Sequence, residues 1–164
     1  MAQWQKGSSL IEVMVSLFVL AIGLLGILSM QVKSMQFSQS ADTYSRAVNV
    51  ANDIAERMRI NPKNVAAYAS ETTPTTAPTN CKTTGFTAPC TGTDLVKWDL
   101  FNWSQTIKNS FPVGTGSISL KTHGSKNYFQ ITVSFDDSRS SGTAGPARKQ
   151  YTLLVESPSQ LGGA

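Results

Sequence analysis

Between Val13 and Val32 the chain carries no charge, and its polar residues there are Ser16, Ser29 and Gln31. Wound as a helix at about 1.5 Å per residue, this run reaches roughly 30 Å, the thickness of a bilayer's hydrocarbon core. One acid, Glu12, stands at its N-terminal edge. An ionised carboxylate at the middle of a span costs about 2.5–3.5 kcal/mol on insertion scales. At the end of the span Glu12 reaches toward the headgroups at lower cost, but among packed apolar helices it needs a cationic partner. A secretory signal has a shorter apolar run closed by a small-x-small cleavage site, and no Ala-x-Ala follows this one. The run therefore reads as a span that the protein keeps.

The segment that follows, VKSMQFSQSADTYSRAVNVANDIAERMRINP, has no glycine, and no proline before Pro62. Its apolar residues Val48, Ala51, Ile54, Ala55 and Met58 recur at helical steps, one stripe of an amphipathic helix. Arg57 and Arg59 stand in the last turn, where cations suit the carbonyl end of the helix dipole. Asn61-Pro62 closes the helix, because the residue before a proline disfavours helical geometry. The pattern predicts one helix from about Ser9 to Ile60, roughly 75 Å long, half in lipid and half packed on a head. The alternative is two helices bending between Val32 and Ser40.

At 164 residues the chain holds one domain with a modest core. Its net charge of +4 comes from 14 basic and 10 acidic residues. The basic residues are densest at Arg148-Lys149 and otherwise scattered, as at Lys121, Lys126 and Arg139. Without a basic run interleaved with aromatics this reads as a solubility device, and nucleic acid is not an expected partner. Two cysteines, Cys81 and Cys90, and the lone His123 are too few for a Cys–His metal site. No phosphate-cradling glycine pattern occurs, and His123 has no evident nucleophile to serve. No cofactor, metal or catalytic residue is expected. Paired cysteines beyond a span fit an oxidising compartment.

From Glu71 to Asp94, ETTPTTAPTNCKTTGFTAPCTGTD is rich in threonine, proline and glycine, with Phe86 its one large apolar residue; it predicts a surface loop. A Cys81–Cys90 bridge within it closes a ring of about ten residues, worth roughly 2.5–3 kcal/mol on the chain-entropy estimate. Asp94 is the expected N-cap of a helix over LVKWDLFNWSQTIKNSFP that ends before Pro112. That helix turns Val96, Leu100, Trp103 and Ile107 to one face, flanked by Trp98 and Phe101. Three strands follow. SISLK turns Ile118 and Leu120 to one side, and YFQITVSFDD turns Phe129, Ile131, Val133 and Phe135 inward before a turn at Asp136-Asp137. QYTLLVES aligns Tyr151, Leu153 and Val155, and His123 in THGSK reads as an exposed turn residue. The expectation is an α+β fold: an antiparallel meander whose apolar face is covered by the amphipathic half of the long helix.

A short polar leader ending in Lys6-Gly7, then SLIEV and the long apolar run, resembles the type III signal of type IV pilins and pseudopilins. The resemblance implies a type IV pilin-like fold with a leader, residues 1–7, that a prepilin peptidase removes after Gly7. Ser8 would become the new, N-methylated terminus, where the family usually has Phe or Met. Residues 8–32 would form the transmembrane and assembly half of the helix, 33–61 its amphipathic half, and 62–164 a periplasmic head bearing the loop 71–94. The proline common in the membrane half of major pilins is missing, which leaves Gly23 and Gly26 as the weak points there.

Within the family, LIEVMVSLFVLAIGLLG, ERMRINP and YTLLVES are most similar to the minor pilins labelled type IV pilus modification proteins. The partners implied are other minor pilins and the major pilin through the N-terminal helix, the prepilin peptidase, and inner-membrane lipid. The implied location is the inner membrane, single pass with the head in the periplasm, and then the pilus at the cell surface. Glu12 would accept the α-amine of a neighbouring subunit; the local alternative is its own Ser8, four residues away. Other readings are a minor pseudopilin of a type II secretion system, a DNA-binding pilin of competence, or a plain anchored adhesin.

Overall fold

Helix α1 (Leu10–Ile60) runs for 51 residues, about 75 Å, in the computed structural model, which describes residues 9–71, 73–78, 81, 90–111, 113–137 and 148–157. It is unbroken between Val32 and Ser40. The Ser9 carbonyl accepts its first hydrogen bonds, from the amides of Glu12 and Val13. Asn61, at φ −116° and ψ 58°, ends it ahead of Pro62. One helical turn at Pro62–Asn64 and the short α2 (Ala67–Ser70) follow, neither of them anticipated from sequence.

Helix α3 (Gly92–Ser110) starts earlier than its sequence suggests. Thr91 takes the N-cap geometry, and Asp94 stands instead in the first turn, where the helix dipole still favours an acid. The loop read as 71–94 therefore gives way to helix after Thr91. Cys81 and Cys90 are bonded, with Cα atoms 5.1 Å apart. The buried Cys81 sets its Sγ 3.3 Å from the Asp94 carbonyl oxygen, so the bridge is anchored on the first turn of α3.

Strands β1 (Thr115–His123), β2 (Lys126–Asp136) and β3 (Arg148–Glu156) form the antiparallel meander, in the order β1-β2-β3. Phe129 stands between Leu120 and Val155, and Ile131 between Ile118 and Leu153. Gly124, at φ 62°, supplies the left-handed position that a two-residue hairpin connection needs. His123 closes β1 opposite Lys126 and is exposed. The inward alternation of β2 and β3 holds: Phe129, Ile131, Val133, Phe135 and Val155 are buried, with Tyr151 and Leu153 packed against them.

Helix α1 lies over β2 and β3, while α3 packs beside it and over the start of β1, where the short α2 also meets that strand. The close approach of α3 depends on Gly116, where a Cβ would stand 2.4 Å from Ile107 Cδ1 and 2.5 Å from the Trp103 ring. Trp103 Nε1 donates to the Val50 carbonyl at 2.9 Å, which joins α3 to α1. The second cover corrects one expectation. The buried stripe of α1 is Ala47, Val50, Ala51, Ile54, Ala55 and Met58, with Val48 only half-buried, because the helix faces α3 as well as the sheet. Leu120 shares the side of Ile118, opposite Phe129, as expected, yet it is 49% exposed, because α3 meets β1 at its opposite end.

Candidate functional site

The first half of α1 packs on no part of the head. Its most apolar stretch has a mean hydropathy of 2.6 and is 0% buried. From Leu10 to Met35 the large apolar side chains are 49–79% exposed. A continuous apolar surface of this length is stable against lipid or against other apolar helices. Ser16 donates its hydroxyl to the Val13 carbonyl at 2.9 Å, which satisfies that polar group within the helix. Glu12 is the one charged residue between Leu10 and Val32, in the first turn, where the dipole favours an acid. A Cβ added at Gly23 or Gly26 would meet nothing within 4 Å, so both leave bare backbone for a close neighbour. Gly7 and Ser8, the expected cleavage and methylation positions, lie outside the described residues.

The head takes hold of the helix at Ser40. Its hydroxyl donates to Asp137 Oδ2 at 2.9 Å, and Lys149 Nζ donates to the same carboxylate. One turn on, the rings of Tyr44 and Tyr151 meet edge to face, 5.5 Å between centroids. Asp137, expected as turn chemistry, is instead 3% exposed, because the end of β2 runs against α1 and brings a cation on β3 within reach.

A second polar cluster ties the far end of the head together. The Asp99 carboxylate accepts from Arg57 Nη1 at 3.0 Å and from the Tyr68 hydroxyl at 2.6 Å, while Arg57 Nε donates to Asp53 at 3.1 Å. Burial opposes the charge on Arg57, but its hydrogen bonds to Asp53 and Asp99 outweigh this and hold its pKa above the ordinary value. Burial, then the bond to Asp99, pushes the Tyr68 phenol well up. These groups satisfy one another's hydrogen bonds, which makes the cluster a tie between α1, α2 and α3. Among the described residues no three His, Cys, Asp or Glu side chains gather as metal ligands. A groove of about 250 Å³ between Thr73, α3 and the start of β1 is lined by Pro74 and Ile107 together with hydroxyls and Lys108.

The prokaryotic N-terminal methylation motif matches residues 5–28, a span that includes Gly7, Ser8 and Glu12. The family described as type IV pilin Tt1218 matches residues 29–101. The two matches adjoin and together take in more than half of the 164 residues. Residues 29–101 are thus similar to type IV pilins, directly behind a prepilin methylation motif. No curated protein and no solved structure matches it.

For a pilin, the bare half of α1 and the motif at its start fit a membrane-anchored subunit. Similarity to this family points to a structural, non-enzymatic protein. Sequence reasoning had located the helix, the acid and the cysteine pair of this chain, but not Asp99 or Asp137. Asp99 left a trace: it falls three residues after Val96 and four before Trp103, on the face that the helical period marks as buried. Asp137 left none, since a doublet of acids after a strand reads as a turn.

Proposed function

We propose that this chain is a minor pilin of the PilV type, which helps to prime and assemble type IV pili in a complex with other minor pilins. The observation that carries the reading is a single carboxylate, Glu12, in the first turn of a helix half that is otherwise apolar and unpacked. The segments ERMRINP and YTLLVES supply the resemblance to PilV. In this reading the prepilin peptidase cuts after Gly7 and frees the Ser8 α-amine, a cation with an ordinary pKa of about 7.7–8.0. N-methylation leaves that terminus a cation. Glu12 of one subunit accepts the amine of the next. A buried acid and amine neutralise each other, whereas either one alone among apolar helices is strongly unfavourable. Helices that slide freely along an apolar face settle where acid meets amine, so the pair sets register. Before assembly the chain waits in the inner membrane, single pass, with its head in the periplasm.

The test is Glu12→Ala in cells that make pili. The variant is expected to insert and to lose residues 1–7, as read by intact mass. It is expected to fall to background in sheared, purified pili, where the native chain is found at low copy. Normal incorporation of the variant would overturn the role of Glu12. Native chain absent from pili but required for protein secretion would replace the pilus with a secretion pseudopilus.

A further inference from the structure

Beyond Val32 the helix carries a mixed surface that assembly through the apolar half does not use. Lys33, Phe37, Ser40 and Tyr44 follow at four-, three- and four-residue steps, and so share one face of α1. Ser40 and Tyr44 mark that face as the head's side, through Asp137 and Tyr151. Phe37 lies on the same side, but the head stops above it and leaves it 74% exposed.

Hydrogen bonds and register show what else lies at this level. Asp137, just past β2, meets Ser40. Arg148 stands opposite Asp136, and Thr115 and Gln150 flank Ser134, so β1 and β3 both begin at this end. Helix α3 runs antiparallel to α1, with Asp99 at Arg57 and Trp103 at Val50, which brings its last turns down to the same end. There Phe111 stacks on Phe135, 5.3 Å between ring centroids.

The membrane-proximal end of the head thus carries Lys108, Arg148, Lys149 and Val113, the last 61% exposed, above Lys33 and Phe37 of the helix. Among the described residues its acids are Asp136, facing Arg148, and the buried Asp137, held by Lys149. Asp42 is paired with Arg46 at 2.9 Å. Cations are in excess. The helix between Val32 and Ser40 rises about 12 Å, comparable with a headgroup layer plus part of a Debye length.

We propose that this end of the head docks on the anionic headgroups of the membrane that α1 crosses. Phe37 and Val113 enter the interface, while Lys33, Lys108 and Arg148 meet lipid phosphates. Continuity with the span places the surface within reach of lipid, and its charge matches an anionic leaflet. The same excess of one sign disfavours a second copy of the chain on the patch. Docking holds the head of an unassembled subunit against the bilayer, and this contact must break when the subunit enters a filament. The inference rests on the membrane-anchored reading of α1 but not on the role of Glu12.

The test is acylation footprinting of the full chain in phosphatidylcholine vesicles, with and without phosphatidylglycerol. Lys108, carried by the head, reports docking; Lys33, next to the span, calibrates the surface; Lys63 and Lys121, at the far end, are references. Lys108 is expected to react about fivefold more slowly in the anionic vesicles, with the references unchanged. High salt, Arg148→Gln and Phe37→Ser should each restore much of its reactivity. Equal Lys108 reactivity in both vesicles would overturn the proposal, as would equal slowing of the references. Protection that follows protein density in neutral vesicles would overturn it in favour of a neighbouring chain. Release of the chain by an alkaline wash would overturn the span itself, a failure distinct from the others.

Discussion

Asp99 interrupts an apolar helical face, and the far end of the head is organised around it. An acid 5% exposed is tolerable because a guanidinium and a phenol both donate to it. Tyr68 makes this arrangement sensitive to alkali. Its folded pKa lies above the ordinary value of about 10, through burial first and the bond to Asp99 second. Above pH ~10 the unfolded chain loses the phenolic proton while the folded chain keeps it, so stability falls as pH rises. Lys126, held up by Glu156 on the surface, acts in the same direction and is unchanged by a substitution at Tyr68. We predict that Tyr68→Phe is less stable than the native chain near neutrality by about 1–3 kcal/mol, since Asp99 loses a donor. The gap should narrow above pH ~10, as read by thermal melts across pH. A gap independent of pH would show that Tyr68 contributes packing alone.

Among the elements, α3 is the one whose placement depends on glycines, Gly114 and Gly116. Gly116 permits the contact between β1 and α3, and any side chain there would strike Ile107 and Trp103. Gly116→Val should destabilise the head by about 1–3 kcal/mol or more, because Trp103 is also tied to the Val50 carbonyl and cannot retreat freely. Gly23→Ala is the matched control. Nothing stands within 4 Å of it, and alanine favours helix by up to about 1 kcal/mol. It should leave the melting of the head unchanged in detergent. Equal melting of both variants would mean that α3 does not depend on this approach.

Across the whole molecule, α1 is one helix serving two environments, and the change falls at Ser40. Below it the helix is bare; above it the sheet and α3 close over it. The junction is held by Ser40, Asp137 and Lys149, with Tyr44 against Tyr151. Asp137→Ala removes the shared acceptor and leaves Lys149 half-exposed, at an expected cost of about 1–3 kcal/mol. Hydrogen exchange should quicken at the amides around Ser40 to Tyr44 while those near Ile54 stay protected. Uniform quickening would mean that the head opens as a unit, without a separate junction.

The long helix, its apolar half, the solitary acid and the strand alternation were legible in the chain itself. Each is written in the spacing of neighbouring residues, and periods of two or 3.6 residues survive whatever the element later packs against. The cysteine pair belongs with them, since two cysteines so close in sequence have few other partners. What sequence left open turns on distances between residues far apart along the chain. No local pattern states that α3 shares the cover with α1, that Leu120 is left uncovered on the inner face, or that Asp137 meets Ser40 and Lys149 across the junction. Burial and pairing of that kind are set by which surfaces meet, and they exist once the elements have packed.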